Sequence, residues 1–147
     1  MQTPLREVMT WTMLTVRPSL TVTEAMTIMA NYAIDHLFVV DATDRFLGIV
    51  TDHTLLKAEL TGRATETTVD AWMHCRPEIL TPDHTVADAV KLCRDGSLSR
   101  IPIVRDGRLL GVVCRRDVLK WIVRHRVDAA ASAITAPHHT ARELVTV

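Results

Sequence analysis

The sequence predicts a mixed α/β (α+β) fold in which one unit of order β–α–β–β–α is written twice. Three observations predict it. Residues of the same character recur at one offset: Met9 and Met73, Pro18 and Pro82, Thr21 and Thr85, Glu24 and Asp88, Ala25 and Ala89 all differ by 64. A glycine and two aliphatic residues run into a polar turn and a helix-like pattern twice, at Gly48-Ile49-Val50-Thr51-Asp52-His53-Thr54 and at Gly111-Val112-Val113-Cys114-Arg115-Arg116-Asp117. Between the two copies, residues 62–68 are polar and free of large apolar side chains, which reads as a linker. A fixed offset shared by a cap and a proline marks an internal duplication.

Each element follows from its residues. Leu14 to Pro18 is a short β-rich run that the proline ends. Thr21 and Glu24 have the spacing of a capping box ahead of apolar Val22, Ala25, Met26, Met29 and Ala33, which predicts an amphipathic helix. Leu37 to Val40 reads as a buried strand, Asp41 to Arg45 as a turn, Phe46 to Val50 as a second strand, and Thr54 to Leu60 as a helix stopped by Gly62. The second copy restarts at Val69 to Met73 and Ile79 to Pro82, with Val86, Ala89, Val90 and Cys93 as the helix face and Ile101 to Val104 as the strand. Its turn, Arg105 to Arg108, holds an Asp-Gly hairpin signal and is one residue shorter, which moves the offset to 63. The last helix is expected to run from Asp117, whose carboxylate can cap it, through Trp121, Ile122, Val123 and Val127 toward Ala131. Ala136 to His139 reads as a break, and Thr140 to Val147 as a tail or short helix. The expected division is 1–61 for the first repeat, 62–68 for the linker, 69–128 for the second repeat and 129–147 for a C-terminal extension. Each half is too small to hold a stable core alone, so the halves are expected to pack on each other.

Composition narrows the function classes. The chain has 147 residues, 48% apolar and 23% charged, with 17 basic and 17 acidic side chains. A net charge of zero provides no global field toward nucleic acid or anionic lipid, so any phosphate binding must be local. With no apolar run of membrane-spanning length and no signal-peptide pattern, a cytoplasmic protein is expected. Three cysteines, Cys75, Cys93 and Cys114, argue for reduced thiols over a disulfide framework. The five glycines form neither a phosphate loop nor a dinucleotide fingerprint, and no Gly-x-Ser-x-Gly appears. No metal-clip spacing is present either, and His74-Cys75 and His138-His139 are the least implausible zinc ligands in a chain for which no metal is expected.

The doubled order, the pairs Thr15-Val16-Arg17-Pro18 and Ile79-Leu80-Thr81-Pro82, the strand Arg100 to Val104, and the Gly111 to Asp117 junction together resemble a tandem pair of cystathionine-β-synthase (CBS) domains, or Bateman module, over Leu5 to Arg126. The resemblance implies two repeats packed through their sheets about a pseudo-twofold axis, with two clefts at the seam. It also implies that the clefts bind adenosine-containing ligands, AMP, ADP or ATP first and S-adenosylmethionine or NAD next, for regulation and without chemistry; no cofactor is required. The family's junction pattern is Gly-h-h-(Ser/Thr)-x-x-Asp, h being an apolar residue, with the hydroxyl on phosphate or ribose and the carboxylate on the ribose. The second repeat keeps Asp117 and has Cys114 for the hydroxyl; the first keeps Thr51 and has Thr54 for the carboxylate. The main cleft is accordingly expected from Thr12, Met13, Ile34, Asp35, Arg100, Val112, Cys114, Arg116 and Asp117. A weaker one is expected from Arg76, Pro77, Leu98, Ser99, His36, Ile49, Thr51, His53 and Thr54.

Plainer readings stand beside these. Asp117 can be a simple helix cap, Arg115 and Arg116 a solvated pair, and Cys114 a small filler or a redox-sensitive thiol. The basic stripe Arg116, Lys120 and Arg124 suits a solvated face or a dimer rim better than nucleic acid. The apolar surplus at Trp121, Ile122 and Val123 suggests a subunit contact. The expectation is a non-enzymatic regulatory module, a homodimer with an unknown effector and no nucleic-acid or membrane partner. The alternative is a structural or dimerisation module whose clefts have decayed.

Overall fold

The structure, a computed structural model, describes residues 1–95 and 99–126. Leu98, the expected helical stretch from Val127 to Ala131 and everything beyond it lie outside the described residues. The strands are β1 (Thr15–Val16), β2 (His36–Val40), β3 (Phe46–Thr51), β4 (Arg100–Arg105) and β5 (Arg108–Cys114). The helices are α1 (Val22–Tyr32), α2 (Asp52–Leu60), α3 (Val86–Arg94) and α4 (Arg115–Arg124), with single 3-10 turns at Leu5–Glu7 and Val69–Ala71. In each half a helix follows a capping box. The Thr21 hydroxyl accepts from the Glu24 N–H at 3.1 Å while Glu24 Oε2 accepts from the Thr21 N–H at 2.9 Å. Thr85 and Asp88 make the same pair at 3.3 and 2.9 Å. α1 ends at Ala33 in the left-handed region (φ 51°).

Sheet pairing follows the duplicated order only in part. β1 lies parallel to β2, and β2 antiparallel to β3, in a three-stranded sheet; β4 and β5 form an antiparallel pair. The expected strand Ile79–Pro82 is reduced to one parallel bridge, Leu80 to Ile103, with the Leu80 N–H donating to Pro102 O and its carbonyl accepting from the Val104 N–H. Two prolines, Pro77 and Pro82, bracket that stretch and deny it further donors. The β4–β5 turn is the predicted Asp-Gly hairpin, with Asp106 and Gly107 both at positive φ (53° and 77°) between paired Arg105 and Arg108, the geometry a two-residue I′ loop requires. Other ends shift by a turn or less: α2 starts at Asp52 with Thr51 as its N-cap.

The cores are interleaved. One gathers Val22, Ala25, Met29, Leu37, Val39, Val50, Leu55 and Ala58 with Val69, and Trp72 and Met73 pack against it. The other gathers Val86, Ala89, Ile101, Ile103, Val113 and Val118 with Leu5 and Met9. The segment preceding each repeat thus fills the core of the opposite one. Phe38, Ile49 and Val112 form a third cluster where the two sheets meet. The bridges reveal the symmetry: exchanging each residue with its counterpart 63 or 64 positions away turns Thr10–Val112 into His74–Ile49 and Pro4–Thr85 into Thr68–Thr21, and returns Arg45–Arg108 to itself. That is a pseudo-twofold axis. Gly48 and Gly111 are where the crossing segments press on the strands: a Cβ on Gly48 would stand 2.5 Å from His74 O, and one on Gly111 2.6 Å from Thr10 O.

Trp121 and Ile122 are partly buried and packed against the second core. Among the exposed apolar side chains are Leu56 and Leu60 on α2 and Leu119 and Val123 on α4, which are counterparts under the same exchange.

Candidate functional site

β5 delivers its last residue, Cys114, to the N-cap position of α4, and the helix begins immediately. Asp117 stands three residues on, so it is not the N-cap itself. Its Oδ2 accepts from the Cys114 N–H at 3.0 Å, the return half of a capping box. One carboxylate oxygen is used in this way. Burial pushes the Cys114 thiol up from its ordinary pKa, and its hydrogen bond to the Asp117 carboxylate pushes the same way. A thiol held protonated is a poor nucleophile.

Facing this junction is a cavity of ≈ 410 Å³ lined by Thr10, Thr12, Met13, Leu14, Ile34, His36, Phe38, Arg100, Val112, Cys114 and Asp117. It is built from both halves, because Thr10 and Val112 exchange two backbone hydrogen bonds of 2.9 Å that lay the N-terminal segment along β5. Its walls are mostly apolar, with Asp117, Arg100, His36 and two threonines as the polar groups. A size of this order suits a small organic ligand.

A second hollow of ≈ 510 Å³ shares Arg100 and Cys114 with the first and adds Ala33, Asp35, Ser99, Arg115 and Arg116. The Asp35 Oδ1 accepts from Arg100 Nε at 3.2 Å and from His36 Nδ1 at 2.7 Å. Partial burial alone would raise the Asp35 pKa, but the His36 and Arg100 hydrogen bonds and charges together outweigh it and hold the carboxyl below its ordinary value. The cleft therefore has an apolar end beside Asp117 and a cationic end at Arg100, Arg115 and Arg116.

Comparison with known proteins gives this geometry its family. The model for the CBS domain matches residues 5–61 and again 69–124. The chain belongs to the CBS-domain family. A 17.7 kDa protein of Acidianus ambivalens is 28% identical over 84% of this chain and 75% of its own length. The inosine-5'-monophosphate dehydrogenase of Methanocaldococcus jannaschii is 33% identical over 78% of this chain, which spans only 22% of that enzyme. Among solved structures, the CBS-pair protein CBSX2 from Arabidopsis thaliana superposes with a TM-score of 0.78 at 23% identity, over 88% of this chain and 100% of that one. CBSX2 in complex with AMP superposes at 0.74 with 25% identity, over 84% and 98%.

Of the nine residues expected in the main cleft of this CBS pair, the first cavity gathers Thr12, Met13, Ile34, Arg100, Val112, Cys114 and Asp117, and the adjoining hollow holds Asp35 and Arg116. Thr10, Leu14 and Phe38 join them unforeseen, and so does His36, a residue expected in the weaker cleft. Strand alternation carries the signal for two of these, since Ile34, His36 and Phe38 fall on one face at period two. The other expected set is dispersed. His36 lines the first cavity and Ser99 the second hollow. Ile49 is 1% exposed in the sheet–sheet cluster, its N–H and carbonyl both bonded to His74. Arg76 and His53 are exposed, Pro77 is partly buried, and Thr51 caps α2 by accepting from the Thr54 N–H at 3.3 Å. Thr54 thus occupies the place of Asp117 without a carboxylate.

Among the described residues no three His, Cys, Asp or Glu side chains gather as a metal site, and no helix is long and apolar enough to cross a membrane. His138-His139 falls outside them. All three cysteines are free thiols.

Proposed function

We propose that this CBS pair is a regulatory module that binds an adenosine-containing ligand, AMP, ADP or ATP first, in the cleft between Thr12 and Asp117, and carries out no reaction itself. The observation that carries this reading is the cavity's two ends. The apolar stretch of Met13, Ile34, Phe38 and Val112 suits a purine, the Asp117 oxygen outside the cap suits a ribose hydroxyl as donor, and Arg100, Arg115 and Arg116 supply cations for phosphate. The AMP complex of CBSX2 supports it by similarity. S-adenosylmethionine and NAD are the other ligands of that class. Thr51, His53 and Thr54 would form at most a weaker second site. A ligand touching both repeats favours the relative orientation it fits best, which is the means of signalling to an effector.

The reading includes a cytoplasmic homodimer, supported by the outward pairs Leu56, Leu60 and Leu119, Val123 on α2 and α4. Titration calorimetry with AMP, ADP, ATP, S-adenosylmethionine and NADH tests the ligand, and sedimentation of the same sample reads the dimer. Asp117→Asn, which removes the charge and keeps the shape, is expected to weaken the bound nucleotide about 10- to 100-fold, the worth of a charge-assisted hydrogen bond. Binding unchanged by that substitution, or weaker than millimolar for every ligand, overturns the reading.

A second reading, a structural module with a decayed cleft, is favoured by the Cys114 thiol in the hydroxyl position and by the Asp117 oxygen already engaged in capping. Thermal unfolding separates the two. A ligand at 100 times its Kd adds about 2.7 kcal/mol of stability, and a decayed module gains nothing.

A further inference from the structure

The anionic side chain at the cationic end of the cleft is Asp35. It sits with Arg100, Arg115 and Arg116 around one hollow, and its Oδ1 takes a hydrogen bond from Arg100 Nε and another from His36 Nδ1. A carboxylate in that place occupies Arg100 Nε, a donor that a ligand phosphate would need. We infer that Asp35 is a built-in anion that competes with the ligand's phosphates for the Arg100 end of the cleft, so that the site ranks adenosine-containing ligands by their negative charge. This rests on the nucleotide reading above and names the residue that sets its selectivity.

Two features of the chain support competition over a purely structural role. The counterpart of Asp35 in the other repeat is Ser99, so the fold does not demand a carboxylate at the entry to this strand. The backbone there is fixed independently: the Asp52 N–H donates to Asp35 O at 3.0 Å, and the Arg115 N–H donates to Ser99 O at 3.0 Å. Only the Asp35 side chain, which is 50% exposed, has to turn out to release Arg100. An incoming phosphate must displace it or suffer its repulsion, and that cost grows with the ligand's charge.

The experiment compares wild type, Asp35→Asn and Asp35→Ser by calorimetry with adenosine, AMP, ADP and ATP. Asparagine keeps the shape, and serine is the residue the other repeat already uses, so one preserves packing and the other has a precedent in this fold. Both variants are expected to bind AMP about threefold tighter and ATP about tenfold tighter or more, with adenosine unchanged. Weaker nucleotide binding in the variants would show that Asp35 orients Arg100 for the ligand, and an equal change for adenosine and ATP would place its effect on the nucleoside; either overturns the inference while leaving the nucleotide reading intact. If none of the three proteins binds any of the four ligands, the nucleotide reading falls and the inference with it.

Discussion

Single residues fix how closely the two halves approach. Gly48 and Gly111 are counterparts in the duplication, and each lies under a carbonyl of the segment that crosses over from the other repeat. The obstacle in each case includes backbone tied down by hydrogen bonds, His74 to Ile49 and Thr10 to Val112, which cannot rotate aside as the Met9 side chain, also close to Gly111, can. Gly48→Ala and Gly111→Ala are each expected to cost about 1–3 kcal/mol, the usual penalty of overpacking, measured as a lowered urea midpoint with an unchanged slope. Gly62, at φ 72° with open space around it, differs in kind: alanine there would meet backbone strain and no contact. The sequence displayed Gly48 and Gly111 as a recurring junction residue, but the reason for them was hidden. A crossing segment is a tertiary fact, and nothing in the residues around 74 or 10 says which strand they will lie against.

At the scale of elements, the capping boxes were the most legible feature, because a Thr followed three residues later by a carboxylate is a local hydrogen-bond arrangement that needs no tertiary partner. Both form as expected, and both carboxyls are held below their ordinary pKa, chiefly by the hydrogen bond from the threonine backbone N–H. A carboxyl whose folded pKa is depressed contributes stability above its unfolded value, and that stability disappears as pH falls through the carboxylate range and below. Thr21→Ala and Thr85→Ala are each expected to cost about 1 kcal/mol near neutral pH. The pH dependence belongs to the carboxylates, so the gap between wild type and Glu24→Ala or Asp88→Ala, which remove the acceptor of that backbone N–H, should narrow on acidification, read by urea denaturation at pH 7 and at about pH 3. A gap independent of pH would mean that the carboxylates take no part in the caps. α4 was less legible. The carboxylate at 117 pointed to a helix start, yet the N-cap is Cys114, three residues earlier, since a thiol and a returning carboxylate are a weaker pattern than Thr and Glu. The strand expected at Ile79–Pro82 failed for a similar reason: β propensity marks where a strand fits, and here the prolines leave too few donors for more than one bridge.

For the whole molecule, the duplication predicted two similar halves but not the exchange of their leading segments. Leu5 and Met9 come first in the chain and complete the core of the second repeat, while Val69, Trp72 and Met73 follow the linker and complete the core of the first. Neither core survives the loss of the other half's segment without cavities, and emptying buried aliphatic positions costs about 2–5 kcal/mol apiece, much of what a small domain has in total. The two halves are therefore expected to unfold as one cooperative unit. The tryptophans supply local reporters of this: Trp72 packs against the first core, with its indole N–H on Thr67 Oγ1 at 2.8 Å, and Trp121 packs against the second. Trp11 is 57% exposed and can be replaced by phenylalanine as background. In a protein carrying Trp11→Phe and Trp121→Phe, fluorescence follows the first core, and with Trp11→Phe and Trp72→Phe it follows the second. Each variant's fluorescence midpoint in urea should coincide with its own helix signal by circular dichroism, with the same slope by both probes, as one transition requires. A fluorescence transition that separates from the helix signal in either variant would show that the interleaved segments dock late and that each repeat holds itself together without them.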